Sequence, residues 1–345
     1  RGDYDAALKD AQAGLNLEPE NHYYLLALGD IYRAQKNYRN ALLAYKRAIE
    51  KEPNNPDAYY FIAEAHFNLN DNAEQGISAL EAIKRGTKYP GEAWFYVGDA
   101  LQKGGKITEA VEAYQRAITA NPKIYGAYNN LSEIYRNQGR LTEAIAIMEK
   151  AAGHFPDDGT IYVNLSWYYS LAEKHNDAVR AGQKAIQLAP DNYMAHTNLC
   201  RAYNDTKLYT QAIKTCQDAL RLNPGDGETN FYLARAYDLS NKPDEATPFY
   251  KKAVTGLVQF TNNNPDYADG YYLLGNAYYA DNQRDKAIEA YQKTLELSPK
   301  FSRARYNLGY LLFLKNDLRG AQAQVSALMD IDQNLANKLK QAIQK

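Results

Sequence analysis

The chain has 345 residues, of which 45% are hydrophobic and 23% charged, and 40 basic against 41 acidic side chains leave a net charge of −1. That composition belongs to a folded protein and excludes a disordered one. The charge balance offers no general attraction to phosphate backbones or anionic lipid, and no apolar run reaches the roughly 18 residues a membrane span needs, so neither nucleic acid nor membrane insertion is expected.

Prolines divide the chain. They stand at 19, 53, 90, 122, 156, 190, 224, 265 and 299, at intervals of 34, 37, 32, 34, 34, 34, 41 and 34. Nine of the 12 prolines lie on this ladder, too many for chance, and each marks the end of one unit and the start of the next helix. Between prolines the apolar residues follow the 3.6-residue period of helices. In chain order the spacing predicts a lone helix over 3–19, then helix pairs over 20–53, 54–90, 91–122, 123–156, 157–190, 191–224, 225–265, 266–299 and 300–333, and a last helix over 334–345. That last helix is apolar on one side only, at Leu335, Leu339 and Ile343, the pattern of a cap. The cap predicts that the array ends there, whereas the unpaired first helix predicts that it continues upstream of residue 1.

Within a pair the same offsets recur. The first reads Leu25, Leu28, Gly29, Tyr32, a polar turn, Ala41, Tyr45, Ala48 and Pro53; two others read Trp94, Val97, Gly98, Leu101, Ala110, Tyr114, Ala117, Pro122 and Tyr271, Leu274, Gly275, Tyr278, Ala287, Tyr291, Thr294, Pro299. The small residues permit close helix crossing and the tyrosines fill the wedges beside it. These residues and their phase resemble the tetratricopeptide repeat family over essentially the whole chain. The resemblance implies an all-α, right-handed superhelical solenoid of antiparallel helix pairs with a C-terminal capping helix. It also implies a concave groove, lined by the first helix of each pair, that serves as the ligand surface.

Three pairs depart from the rule. The pair over 54–90 carries three extra residues with Gly76 in place of the small alanine, and that over 91–122 is two short. The pair over 225–265 carries seven extra residues, placed within 254–264, and Pro248 inside its second helix, where a kink is expected. The extra residues read either as drift in a tolerant loop or as a local change of pitch.

Catalytic chemistry leaves no signature. Gly104–Gly105–Lys106 is a turn between helices and not a phosphate loop, and the five histidines show no metal-ligand spacing, so no cofactor, no metal and no enzymatic activity are expected. Cys200 and Cys216 fall at facing offsets of one pair, either as two small core residues or as a disulfide, which would indicate an oxidising compartment.

Three sets of groove residues are candidates for peptide binding. Asn130, Asn164 and Asn198, spaced by 34, with Asn307 further on, resemble the asparagine ladder in the superhelix of O-linked N-acetylglucosamine transferase. A carboxamide donates and accepts, so a row of them can hold a peptide backbone whatever its side chains. A neighbouring offset carries Asp30, Glu64, Asp99, Glu133, Trp167, Arg201 and Arg235, a charge gradient that would orient a ligand. Phe231, Tyr272, Tyr306 and Tyr310 form either an aromatic anchor surface or additional core. The carboxylate clamp of chaperone-binding members is missing, because Leu26, Asp30, Tyr60 and Phe61 occupy its positions. The expected function is a scaffold for a protein or peptide ligand. The alternatives are the targeting arm of an enzyme whose catalytic domain precedes residue 1, and a self-assembling homo-oligomer. Localisation is not legible, the choice lying between cytoplasm and periplasm.

Overall fold

The computed structural model describes residues 3–344, and its elements are helices throughout. A lone α1 (Tyr4–Leu17) precedes nine pairs. These are α2 (His22–Ala34) with α3 (Tyr38–Lys51), α4 (Pro56–Asn68) with α5 (Asn72–Lys84), α6 (Pro90–Lys103) with α7 (Ile107–Ala120), and α8 (Tyr125–Asn137) with α9 (Leu141–His154). Then come α10 (Gly159–Leu171) with α11 (His175–Leu188), α12 (Tyr193–Asp205) with α13 (Tyr209–Leu222), and α14 (Gly227–Leu239) with α15 (Pro243–Asn263). The last pairs are α16 (Ala268–Ala280) with α17 (Arg284–Leu297) and α18 (Ser302–Leu314) with α19 (Leu318–Met329), followed by α20 (Gln333–Ile343). The chain forms two compact units, one ending at Asp157 and the other beginning at Asp158.

Local chemistry sets each pair. Five of the nine first helices, α2, α4, α10, α12 and α14, open on side-chain caps, as where Asn55 Oδ1 accepts from the amides of Asp57 and Ala58, both at 3.1 Å; such caps contribute about 1 kcal/mol each. The two helices of a pair are joined by a three-residue turn whose middle residue has positive φ: Lys36, Asn70, Gly105, Gly139, Glu173, Lys207, Asn241, Asn282 and Asn316. The following amide bonds back across the helix end, Asn37 N to Tyr32 O and Leu208 N to Tyr203 O, both at 2.8 Å. This left-handed closure satisfies the last carbonyls of the first helix.

Those turns, which recur every 34 residues apart from one step of 35 and one of 41, correct the proline frame. Pro90 opens α6 and does not close α5, so the pair over 54–90 does not carry three extra residues and that over 91–122 is not two short. On the corrected phase the counterpart of Ala41 is Gln75 and not Gly76. Ala41, Ala110, Ala144, Ala178, Ala212, Ala246, Ala287 and Ala321 are all buried at this crossing, and Gln75 is fully buried there too. Its amide nitrogen donates to Tyr96 O at 2.8 Å and Asp99 Oδ2 at 3.0 Å. The seven extra residues do not form a loop. They extend α15 to 21 residues, about two further turns, and the helix runs on through Pro248. Pro248 is the sixth residue of the helix, past its first turn, and removes one backbone hydrogen bond from it.

Within each unit, successive pairs share core. In the first unit Tyr45 packs with Ala41 and Ile62, and Tyr60, Ala79, Ala93, Tyr96 and Val97 form the next layer. In the second unit Cys200, Cys216, Phe231, Leu233, Tyr250 and Leu274 belong to one continuous cluster. Val325, Leu328, Ala336 and Leu339 seal α20 against the last pair. First helices also pack on one another, α4 on α6 in the first unit and α10 on α12, α12 on α14 and α18 on α20 in the second, whereas no comparable packing joins second helices of successive pairs among the described residues. Closer approach on one side is what curves a stack, so the first helices line the inner face.

Candidate functional site

The first helices of the first unit are α2, α4, α6 and α8, of which α4 packs directly on α6. Asp30, Glu64, Asp99 and Glu133 occupy one offset on them, and each has a different environment. Asp30 is exposed and accepts from the Tyr45 hydroxyl at 2.7 Å. The Arg33 guanidinium bridges Asp30 (3.6 Å) and Glu64 (3.4 Å) and lies 4.5 Å over the Phe61 ring. Burial pushes the Glu64 carboxyl above its ordinary value, against the pull of Arg33. Asp99 is buried and bound by Lys103 at 2.8 Å as well as by Gln75. Glu133 is exposed. The acidic row is therefore an ion-paired row for three of its four members, and its charge gradient is weaker than the sequence alone implies.

Sequence reasoning missed the aromatic set that accompanies these acids. Tyr60 stacks on Tyr89 at 4.5 Å between centroids and touches Phe61 at 5.1 Å, and Phe67 meets Tyr96 at 5.1 Å and Phe95 at 5.9 Å. Tyr60 and Tyr96 are buried, while Phe61, Phe67 and Phe95 are half-buried, with Lys103 5.3 Å over the Phe67 ring. The signal was present in Tyr60 and Phe61, which entered only as the absence of a clamp. On the same helices Asp57 holds Lys88 at 3.1 Å and the Thr87 hydroxyl at 2.9 Å, and Glu92 accepts from Asn121 at 2.8 Å.

The asparagines are distributed over both units. Asn130 lies in the first, half-buried, its amide nitrogen donating to the Tyr114 hydroxyl at 3.0 Å. Asn164, Asn198 and Asn307 lie in the second. Asn198 donates to Val163 O at 3.0 Å, and Asn307 donates to Asn276 Oδ1 at 3.0 Å and the Tyr291 hydroxyl at 3.3 Å. Asn130, Asn198 and Asn307 thus join one first helix to the preceding pair. Asn130 and Asn198 each retain a second N–H and the carboxamide oxygen for a ligand, and Asn307 retains its oxygen.

In the second unit Trp167, Arg201 and Arg235 share one offset and are all half-buried. Arg201 pairs with Glu228 and lies 4.9 Å over the Tyr232 ring; Arg235 pairs with Asp205 at 3.2 Å. The aromatic anchor surface divides. Phe231 is buried in the core and offers no exposed anchor. Tyr272 packs on Phe301 at 4.9 Å, and Tyr306 and Tyr310 pack on the layer that seals α20, so these three are half-buried parts of the scaffold. Cys200 and Cys216 form a disulfide across α12 and α13.

Comparison with known proteins places this geometry. A profile described as "Tetratricopeptide repeat" matches residues 97–159 and 171–227, and one described as "TPR repeat" matches 29–70 and 275–316. The small glutamine-rich tetratricopeptide repeat-containing protein 2 of Mycosarcoma maydis is 35% identical over 98 residues, a stretch that covers 28% of this chain and 28% of that protein. This chain therefore spans little more than a quarter of that relative's length. Among solved structures, the C-terminal part of a TPR repeat-containing protein from Cytophaga hutchinsonii matches with a TM-score of 0.52 at 17% identity, covering 84% of this chain and 99% of that one. A tetratricopeptide repeat protein from Parabacteroides merdae matches with a TM-score of 0.51 at 15% identity, covering 74% and 99%. These two likenesses concern the fold.

Proposed function

Because the chain belongs to the tetratricopeptide repeat family, whose arrays are protein-interaction scaffolds, we propose that it is a non-enzymatic scaffold holding an extended polypeptide segment along its first-helix face. The observation that carries this reading is the mixture of rings and carboxylates on α2, α4 and α6. Arg33 of the chain itself rests over Phe61 while paired to Glu64 and Asp30. A ligand arginine or lysine beside an apolar residue meets the same combination of ring face and carboxylate.

In the first unit Asn130, and in the second Asn164, Asn198 and Asn307, offer carboxamides to a ligand backbone, while Trp167, Arg201 and Arg235 contact ligand side chains in the second unit. Asp30, Glu64, Asp99 and Glu133 favour basic ligand residues. Tyr272, Tyr306 and Tyr310 frame the face through their exposed edges.

Fluorescence anisotropy with labelled peptides tests this. An arginine- and phenylalanine-containing peptide should bind more tightly than its glutamate counterpart, and Glu64→Gln should narrow the gap with the helical circular dichroism spectrum unchanged. Equal affinity for the two peptides would remove the basis of the proposal. Replacing Asn130, Asn164 and Asn198 together by alanine should weaken both peptides alike, since a backbone contact is blind to side chains.

A further inference from the structure

Among the described residues of the second unit, a contact joins pairs that are not neighbours. Arg303, second residue of α18, places Nη2 3.1 Å from Glu173 Oε1 and 3.4 Å from Leu171 O. Leu171 is the last residue of α10, and Glu173 is the middle residue of the turn that follows it. The contact spans 130 residues and joins the first helix of the unit's leading pair to that of its fifth. Both helices belong to the set that lines the inner face. A direct tie between them crosses that face.

The chemistry is that of a fastener. Leu171 O is among the carbonyls left open at the C-terminus of α10, where the helix dipole favours a cation. The same guanidinium stands at the N-terminus of α18, where a cation is unfavourable unless an anion accompanies it, and Glu173 supplies that anion. Glu173 holds its position with φ of 59°, a conformation assigned to glycine or asparagine in six of the nine equivalent turns. Lys36 and Lys207 share that conformation without such a contact, so it is the charge of residue 173, and not its backbone, that distinguishes this turn. Both side chains of the pair remain partly in solvent, and an exposed ion pair is weak and salt-sensitive.

We propose that the contact of Arg303 with Glu173 and Leu171 is a clasp that closes the second unit's inner face and opens to admit a polypeptide segment. The proposal deepens the scaffold reading by naming how access to this part of the face is regulated. Closed, it ties α10 to α18, and α12 and α14, the first helices that follow α10, carry Asn198, Arg201 and Arg235. Opening requires no core residue to move, because the bonds that break lie at helix ends.

The clasp can be tested without a ligand, so its failure is distinct from failure of peptide binding. Trp167 lies on α10, one turn before Leu171. In the full chain carrying Trp94→Phe, acrylamide quenching of Trp167 reports access to the inner face. Arg303→Glu should raise the quenching slope roughly two- to fivefold, the population change an exposed ion pair can supply. The swap Arg303→Glu with Glu173→Arg should return it toward the starting value. In about 1 M salt, where the screening length falls to about 3 Å, the chain with Arg303 intact should approach the slope of the single variant. Equal slopes for the chains with and without Arg303→Glu overturn the clasp. So does a slope that stays high in the swap, and so does indifference to salt; the salt series needs no substitution in the clasp and therefore holds even if a variant misfolds.

Discussion

The Cys200–Cys216 bond permits a quantitative expectation. The two residues lie on facing helices of one pair, with Cα atoms 5.4 Å apart, a sequence separation of 16, and no solvent exposure. They stand at the offsets that Gly29 and Tyr45, Gly98 and Tyr114, and Gly275 and Tyr291 occupy in other pairs, so the bond replaces a glycine–tyrosine contact. Removing a link that closes a loop of this size should cost about 3 kcal/mol through the freedom regained by the unfolded chain. Because a repeat array is stabilised by neighbours only, the loss should be concentrated in α12, α13 and the pairs beside them. Hydrogen exchange under native conditions on Cys200→Ala/Cys216→Ala should show faster exchange in α12 and α13, with α2–α5 unchanged. A second variant, Cys200→Gly/Cys216→Tyr, restores the usual side-chain contact without the covalent link and should recover part of the protection. If α12 and α13 exchange alike with and without the cysteines under oxidising conditions, the argument from loop closure is wrong for this pair.

Two further expectations rest on single positions. A β-carbon at Gly29 would lie 2.4 Å from Tyr45 Cε1, and Tyr45 is fully buried with its hydroxyl on Asp30, so Gly29→Ala should destabilise the first unit by about 1–3 kcal/mol in denaturant titration; an unchanged midpoint would show that Tyr45 can yield. His66 is buried where most pairs carry tyrosine, and burial holds its imidazole below the ordinary value of 6.5, so protonation favours the unfolded chain and stability should fall as pH drops below about 6.5 toward the folded value; His66→Tyr should lose that component, and identical pH–melting curves for the two proteins would refute it.

The fold was legible because each pair repeats the same steric solution. Gly29 against Tyr45 and the buried alanine series can be read from offsets, since only small residues allow the crossing and only large ones fill the wedge. Proline was a poorer guide than the turns. Pro90 and Pro53 serve different ends of a helix, and proline is tolerated at either a helix start or just beyond a helix end, so its position alone is ambiguous. The seven extra residues were legible as an insertion but not as helix: no turn signal interrupts residues 254–263, yet a solenoid accommodates an insertion between pairs as readily in a loop as in a longer helix. The site was less legible. Sequence offsets placed Asn130, Asn198 and Arg201 on first helices, but their partners, Tyr114, Val163 and Glu228, come from neighbouring pairs, and nothing in one repeat specifies what the next will present.

Those partners change what a row of polar residues on an inner face means. In an array without a central core, the residues that face a ligand are also the ones that can reach the adjacent pair. Asn130 joins α8 to Tyr114, Arg33 joins α2 to Glu64, and Arg235 joins α14 to Asp205. A ligand group that takes over one of these bonds does not gain its full strength, because the bond it displaces is lost. Binding free energy on such a face is a difference between two similar contacts. Groups that keep capacity after bonding internally, such as the carboxamide oxygens of Asn130, Asn198 and Asn307, add contact without that subtraction. Affinity should therefore depend more on those groups than on the ion-paired arginines, even though the arginines carry the charge.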